Sequence, residues 1–137
     1  MSMFGGKAVK PSTKIDTLIG QGTRIDGDIV FSGGLRVDGE VRGNVSADPA
    51  KPSTLTISEH ASVEGAVSVS HLVANGVVIG PVHVSEFCEL QSKAKVTGDI
   101  EYSAIEIHLG AVIQGRLVHQ GQPSAKSTGL KLAANNG

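Results

Sequence analysis

The sequence contains very few aromatic residues and a single cysteine. Of its 137 residues, three are phenylalanine, one is tyrosine and none is tryptophan. A core built with so few rings must consist of aliphatic side chains, and a ligand pocket lined by aromatic rings is excluded. The single cysteine, Cys88, excludes an internal disulfide and is typical of proteins from a reducing compartment.

Long hydrophobic runs and helical periodicity are also missing. No apolar run approaches 18 residues and no secretory signal is recognisable, so the sequence predicts a cytoplasmic protein. Apolar residues do not recur at the 3.6-residue spacing of an amphipathic helix, and the Val, Ile and Gly content disfavours helices independently. These absences leave a protein built from strands.

Basic charge is scarce in the middle of the chain. All 13 acidic residues lie between Asp16 and Glu106, whereas residues 1–15 carry a charge of +3 and the last 17 residues carry +2. Binding along a nucleic-acid backbone requires a continuous basic face, which this acidic body lacks. We therefore expect no nucleic-acid partner.

One short pattern is present six times: an aliphatic residue, any residue, glycine, any residue, and a second aliphatic residue. The glycines lie 16, 22, 15, 18 and 17 residues apart, and they are Gly27, Gly43, Gly65, Gly80, Gly98 and Gly115. A repeat of about this length is the signature of a solenoid, in which each repeat forms one coil.

Alignment on the glycines reveals further columns. The residues two before and two after each glycine are aliphatic, the residue four before is small, and the residue directly before is mostly polar. Such alternation is typical of strands that bury one face. Aliphatic residues also stand eight positions before each glycine, and this alignment predicts that they stack as one column: Ile19, Leu35, Ile57, Leu72, Leu90 and Ile107.

The repeat predicts an all-β fold, a single-stranded β-helix of about six coils over residues 15–120. With one strand spacing of roughly 4.8 Å per coil, the rod would be on the order of 30 Å long. Two prolines within residues 47–52 predict a loop on its side. Cys88 falls in an inward column and is predicted to be buried. Residues 1–14 and 121–137 do not follow the repeat and are predicted to form flexible or disordered tails.

The predicted rod has no recognisable cap at either end. Without a cap, the apolar cross-section of each terminal coil is exposed, so we expect rods to stack end to end. The predicted polymerisation interface consists of Ile19, Ile25, Ile29 and Phe31 in the first coil, and Ile107, Leu109, Ile113 and Leu117 in the last. A second apolar set, a candidate lateral contact, has outward parity and comprises Val73, Val77 and Ile79.

The N-terminal tail permits two interpretations. It is either a free terminus or a small membrane-targeting segment, in which Met1, Met3 and Phe4 enter the lipid interface while Lys7 and the following lysines contact anionic headgroups. Each lysine contributes about 1 kcal/mol near such a surface, so one copy would bind weakly. Many copies displayed on a polymer would bind well by avidity.

The sequence contains no recognisable constellation of catalytic residues. The five histidines occupy different offsets from their nearest glycines, so the repeat predicts no metal cluster, and no phosphate-binding glycine motif is present. We therefore expect no enzymatic activity and no cofactor. The alternative from a different class is the left-handed β-helix of hexapeptide acyltransferases, trimeric enzymes with coils of about 18 residues; the irregular coil lengths here argue against it.

Two segments resemble a known family, the bactofilins. The segment 35–45, Leu-Arg-Val-Asp-Gly-Glu-Val-Arg-Gly-Asn-Val, together with the recurring Val-x-Gly-x-Val coils, is similar to bactofilins over residues 15–120. The opening Met-Phe-Gly-Gly-Lys at residues 3–7 resembles the membrane-targeting sequence found at many bactofilin N-termini.

The resemblance implies more than the residues do by themselves. It implies a right-handed β-helix that assembles without nucleotide into non-polar filaments through the two ends of the rod. It further implies a bacterial cytoskeletal scaffold on the inner face of the cytoplasmic membrane. Members of the family position peptidoglycan synthases or hydrolases and affect cell shape, stalks, motility or chromosome organisation, and the resemblance does not select among these processes.

Overall fold

A computed structural model of the chain describes residues 15–120, which form 16 β-strands and no helix. The predicted all-β fold is therefore confirmed. Both tails, and with them Met1, Met3, Phe4 and Lys7, lie outside the described residues.

The strands wind into a solenoid of six coils with three faces, and all pairings between neighbouring coils are parallel. The first face consists of β1 (Thr17–Ile19), β4 (Gly33–Val37), β7 (Ser53–Ile57), the second parts of β9 (Val67–Ala74) and β11 (Val82–Leu90), and β14 (Ala104–Ile107). The second face consists of β2 (Arg24–Asp26), β5 (Glu40–Arg42), β8 (Ser62–Glu64), β10 (Val77–Ile79), β12 (Lys95–Thr97) and β15 (Val112–Gln114). The third face consists of β3 (Ile29–Phe31), β6 (Val45–Ala47), the first parts of β9 and β11, β13 (Ile100–Tyr102) and β16 (Leu117–His119).

The columns predicted around the glycines form the core of the tube. Val41, Val63 and Val78 are register partners two positions before their glycines, and each is fully buried. The corresponding column after the glycines contains Val45 and Val67, which are also buried. Because successive side chains of a strand point alternately into the tube and into solvent, the polar residues directly before the glycines lie outside.

The single column predicted eight residues before the glycines is wrong. The register divides it into two columns, since Leu35 pairs with Leu55 whereas Val37 pairs with Ile57. The corner before the second face has two residues in coils 2 and 4 but four in the other coils. In coils 2 and 4, the residue eight positions before the glycine is therefore two positions away from the one that stacks on the other coils. Both residues point into the tube and are buried, but they have different stacking partners.

The repeated glycines are required where successive coils approach each other. Gly65 has φ +151°, a conformation that side chains disfavour, and a Cβ there would overlap the carbonyl group of Gly43 in the coil before. A Cβ at any of four other repeat glycines would likewise overlap the carbonyl group of the repeat glycine in the coil before; these four are Gly43, Gly80, Gly98 and Gly115. Gly27 is different, because it lies in the first coil and a Cβ there would meet no atom of residues 15–120 within 4 Å.

Side-chain hydrogen bonds at the same corner connect the coils. Asp28 accepts a hydrogen bond from the backbone N–H of Asn44 at 2.9 Å, and the Asn44 side chain in turn accepts one from the N–H of Ala66 at 2.9 Å. Asp99 repeats the contact with the N–H of Arg116 at 3.0 Å, and this bond, together with the Arg116 side chain, lowers the pKa of its carboxyl group. The repeat thus selects Asp or Asn after several of its glycines.

The predicted side loop is confirmed at residues 48–52, between β6 and β7. Ser53, at the return to the tube, is 3% exposed. Its N–H donates to the Ser70 hydroxyl at 2.8 Å, and that hydroxyl donates to the Ser53 carbonyl at 2.7 Å. These bonds satisfy buried backbone groups that the loop takes out of the regular ladder.

Candidate assembly surfaces at the ends of the solenoid

Both ends of the described solenoid leave strand edges without a ladder partner. At the N-terminal end, β1, β2 and β3 pair only with β4, β5 and β6 of the next coil. At the C-terminal end, β14, β15 and β16 pair only with β11, β12 and β13. An open parallel edge is a template on which another strand can add.

The N-terminal end also exposes part of the core. Ile25 and Ile29 are half-buried, whereas their register partners Val41 and Val45 in the second coil are fully buried. Phe31 is half-buried beside them. Ile19, by contrast, is only 6% exposed and has little surface left to contribute to an interface.

The C-terminal end shows the same loss of cover. Leu117 is 42% exposed, although its partner Ile100 in the fifth coil is fully buried. Ile107 is 43% exposed above the buried Leu90, and Ile113 is half-buried above Val96. These apolar groups would lose their remaining contact with water if another coil continued the stack.

Leu109 does not share this arrangement. It lies in the corner formed by residues 108–111, outside the core columns, and is 96% exposed. The stack of coils therefore positions seven of the eight residues predicted for the interface in core columns and the eighth at the rim.

The structure divides the candidate lateral contact between two faces. Val73 lies on the first face, whereas Val77 and Ile79 lie on the second, because the corner at residues 75–76 separates them. On the second face, a shallow groove of about 180 Å³ is lined by Val77 and Ile79 together with Val112 and Lys95. Sequence reasoning missed Val112, which lies two coils further along the chain.

Cys88 is buried, as predicted, with no exposed surface. Burial, with a smaller contribution from the charge of Glu89, raises the pKa of its thiol to about 12. The nucleophilic form of cysteine is the thiolate, so this side chain acts as a small apolar core residue.

One histidine lies among potential metal ligands, a group that the histidine positions in the repeat did not predict. His108 Nε2 is 2.7 Å from Glu106 Oε2 and 3.5 Å from Glu89 Oε2. Comparing the positions of the five histidines only with one another could not reveal a group made of one histidine and two glutamates. The signal was present in the sequence as Glu89 and Glu106, which are one coil apart, with His108 two residues further on.

Within residues 15–120, the core columns of a parallel β-solenoid emerge at both ends, which defines this part of the chain as a structural repeat protein. The family model for bactofilins, described as polymer-forming cytoskeletal proteins, matches residues 17–118. The chain belongs to the bactofilin family.

Two curated relatives come from Myxococcus xanthus (strain DK1622). The chain is 28% identical to the bactofilin BacP over 116 residues, covering 84% of this chain and 47% of that protein. It is 29% identical to the bactofilin BacO over 102 residues, covering 74% of this chain and 78% of that protein. The chain thus spans about half the length of BacP. No solved structure gives a significant match.

Bactofilins are cytoskeletal structural proteins, which favours a structural role over the acyltransferase alternative. Within residues 15–120, no helix is long and apolar enough to cross a membrane.

Proposed function

We propose that this bactofilin assembles end to end, without a nucleotide, into filaments that act as a cytoskeletal scaffold. The observation that carries the proposal is the change in burial along each core column. The column of Val45, Val67 and Val82 is at most 2% exposed in the inner coils, yet it ends in Ile29 and Leu117, which are not fully buried. A second solenoid stacked on either end would extend both the column and the backbone ladder.

The proposed assembly requires no bound phosphate. The repeated glycines, such as Gly65 and Gly80, lie at corners where each contacts the backbone of the preceding coil. They are therefore occupied in coil stacking and do not form a loop that could hold a nucleotide. Polymerisation driven by apolar burial and strand pairing would depend on protein concentration alone.

Negative-stain electron microscopy of the purified full chain tests the scaffold proposal. We expect filaments in nucleotide-free buffer, with an axial repeat per subunit on the order of 30 Å, because six strand spacings of roughly 4.8 Å stack along the axis. Addition of ATP or GTP should leave them unchanged. Discrete trimers in both conditions would overturn end-to-end assembly and support the acyltransferase alternative.

We further propose that the filament lies on the inner face of the cytoplasmic membrane through its N-terminal segment. Met1, Met3 and Phe4 would enter the lipid interface, and Lys7 would contact anionic headgroups. The proposal is supported by the composition of this segment, and it rests on the proposed polymer, on which weak binding of single copies multiplies.

Deletion of residues 1–7 should release the polymer from anionic liposomes in a co-sedimentation assay. The loss is expected because the deletion removes every apolar anchor residue and one of the three N-terminal lysines. The matched control neutralises the other tail with Lys126→Gln and Lys131→Gln, and this variant should sediment with liposomes as the wild type does. Equal sedimentation of the deletion variant and the wild type would contradict the anchor.

A filament on the membrane would localise envelope machinery through its sides. We propose that the groove of Val77, Ile79 and Val112 on the second face contacts either a neighbouring filament or a peptidoglycan synthase or hydrolase. The support is its apolar character on a face whose first three coils are otherwise charged or polar at the same outward positions, for example Glu40 and Glu64.

A further inference from the structure

The first face carries a histidine–carboxylate cluster that joins the last two coils. Glu89 belongs to the fifth coil, whereas Glu106 and His108 belong to the sixth. One ligand atom from each of the three side chains lies within 4.8 Å of the other two. This cluster is separate from the apolar residues of the proposed assembly surfaces.

The backbone holds the three side chains in place. Glu89 and Glu106 are register partners on β11 and β14, so their Cα atoms are neighbours in a parallel ladder. The N–H of His108 donates to the carbonyl of Leu90 at 2.9 Å, which fixes the residue at the start of its corner. The Gln91 side chain donates to Glu89 Oε2 at 3.1 Å and orients that carboxylate. The ligands are thus preorganised by groups outside the cluster.

The charges of the cluster are not balanced by nearby bases. Two carboxylates directly opposite each other on adjacent strands repel each other. Within residues 15–120, His108 is the only side chain that forms an ion pair with Glu89 or Glu106, and no lysine or arginine does so. A bound dication would neutralise both carboxylates at once.

The spacing of the ligand atoms fits a small transition-metal ion. Tetrahedral bonds of about 2.0–2.1 Å to nitrogen and oxygen place ligand atoms roughly 3.3 Å apart. The distances of 2.7 Å and 3.5 Å from His108 Nε2 to the two carboxylates lie on either side of this value. The two carboxylates also offer oxygen atoms within 4.8 Å of each other. Side-chain rotations that replace the His108–Glu106 hydrogen bond with two bonds to the ion would form the coordination sphere.

We propose that Glu89, Glu106 and His108 bind a divalent transition-metal ion of the zinc type. One imidazole nitrogen and two carboxylate oxygens are a donor set that such ions accept. The side chains remain 24% to 58% exposed, which leaves room for water at the fourth position. The ion clips the sixth coil to the fifth. A terminal coil has only one neighbour within its own chain, so it gains most from a cross-link of this kind.

The test is a titration of the untagged full chain with Co²⁺, followed by visible absorption, and with Zn²⁺, followed by calorimetry. We expect one ion per chain and an increase in thermal stability at saturation, because the ion binds only the folded state. His108→Gln and Glu106→Gln should each weaken binding at least tenfold and reduce the thermal shift measured at the same ion concentration. Both substitutions preserve size and polarity at exposed positions, and circular dichroism checks that the variants fold.

The matched control is His83→Gln. His83 Nδ1 also approaches a carboxylate of the next coil, Glu101, at 3.2 Å, but among residues 15–120 no second carboxylate completes a three-ligand group there. This variant should bind the ion as tightly as the wild type. The proposal is overturned if the wild type binds no ion, if His108→Gln binds as well as the wild type, or if His83→Gln loses binding to the same extent. Ion affinity and the number of ions per chain do not require filament formation, so these two readouts distinguish a failure of this proposal from a failure of the proposed function.

Discussion

Replacing Gly65 with alanine is expected to prevent the solenoid from folding. The substitution adds a side chain at φ +151°, which strains the backbone by about 1–3 kcal/mol. In addition, the new Cβ would overlap the Gly43 carbonyl, a backbone atom that cannot move without separating two coils. We expect a total loss above about 4 kcal/mol, close to the whole stability of a small domain. Circular dichroism shows whether the Gly65→Ala variant folds, and urea titration measures the loss of stability if it does.

Gly20 and Gly27 separate the cost of backbone strain from the cost of the overlap between coils. At Gly20 a Cβ would meet no described residue within 4 Å, and φ lies outside the left-handed range that side chains disfavour. Gly20→Ala should therefore change stability by no more than about 0.5 kcal/mol. Gly27 has φ +140° with open space around it, so Gly27→Ala should cost only the strain of about 1–3 kcal/mol. A Gly65→Ala variant as stable as Gly27→Ala would show that close approach of the coils is not what the repeat requires.

Arginine at the open ends of the core is expected to abolish long filaments. Ile29→Arg would place a charge on the axis of the stack, where a junction would bury it without a partner at a cost of several kcal/mol. The adjacent Val30 is 78% exposed on the outer surface of the same strand, so Val30→Arg should leave filaments unchanged. Negative-stain microscopy and sedimentation compare the two variants, which carry the same added charge.

An equivalent pair of variants tests the C-terminal end. Leu117→Arg should interrupt assembly, and Val118→Arg, on the outer parity of β16, serves as its control. If a junction joins unlike ends, Ile29→Arg and Leu117→Arg each leave monomers. If junctions join like ends, as the family resemblance implies, each variant leaves dimers formed through its intact end. Long filaments from both variants would contradict the end-to-end model.

The parts of the fold that the sequence predicted share one physical origin. A residue that faces the interior of a narrow tube must be aliphatic, and a residue one position away faces water, so parity can be read from composition alone. This is why the burial of Val41 and Val63 and the exposure of Glu64 were predictable. Cys88 was placed correctly for the same reason.

The stacking partners on the first face could not be predicted in this way. Corners of two and of four residues leave unchanged which side chains of the strand point into the tube. From the sequence alone, Leu35 and Val37 are therefore equally acceptable as the register partner of Ile57. Only the hydrogen-bonded register of the folded chain selects Val37. The division of Val73 from Val77 and Ile79 has a similar cause, since the direction of the chain at a corner is a property of the backbone.

By itself, the sequence determined that this protein is a solenoid of six coils with an aliphatic core, because a repeat of period-2 strands leaves few other ways to bury its apolar residues. The tertiary structure decided which residues of different coils become neighbours. It set how far Ile25 and Leu117 remain uncovered at the ends, and it brought His108 beside Glu89 and Glu106. Contacts between coils depend on corner lengths and strand register, which the spacing of the glycines does not contain.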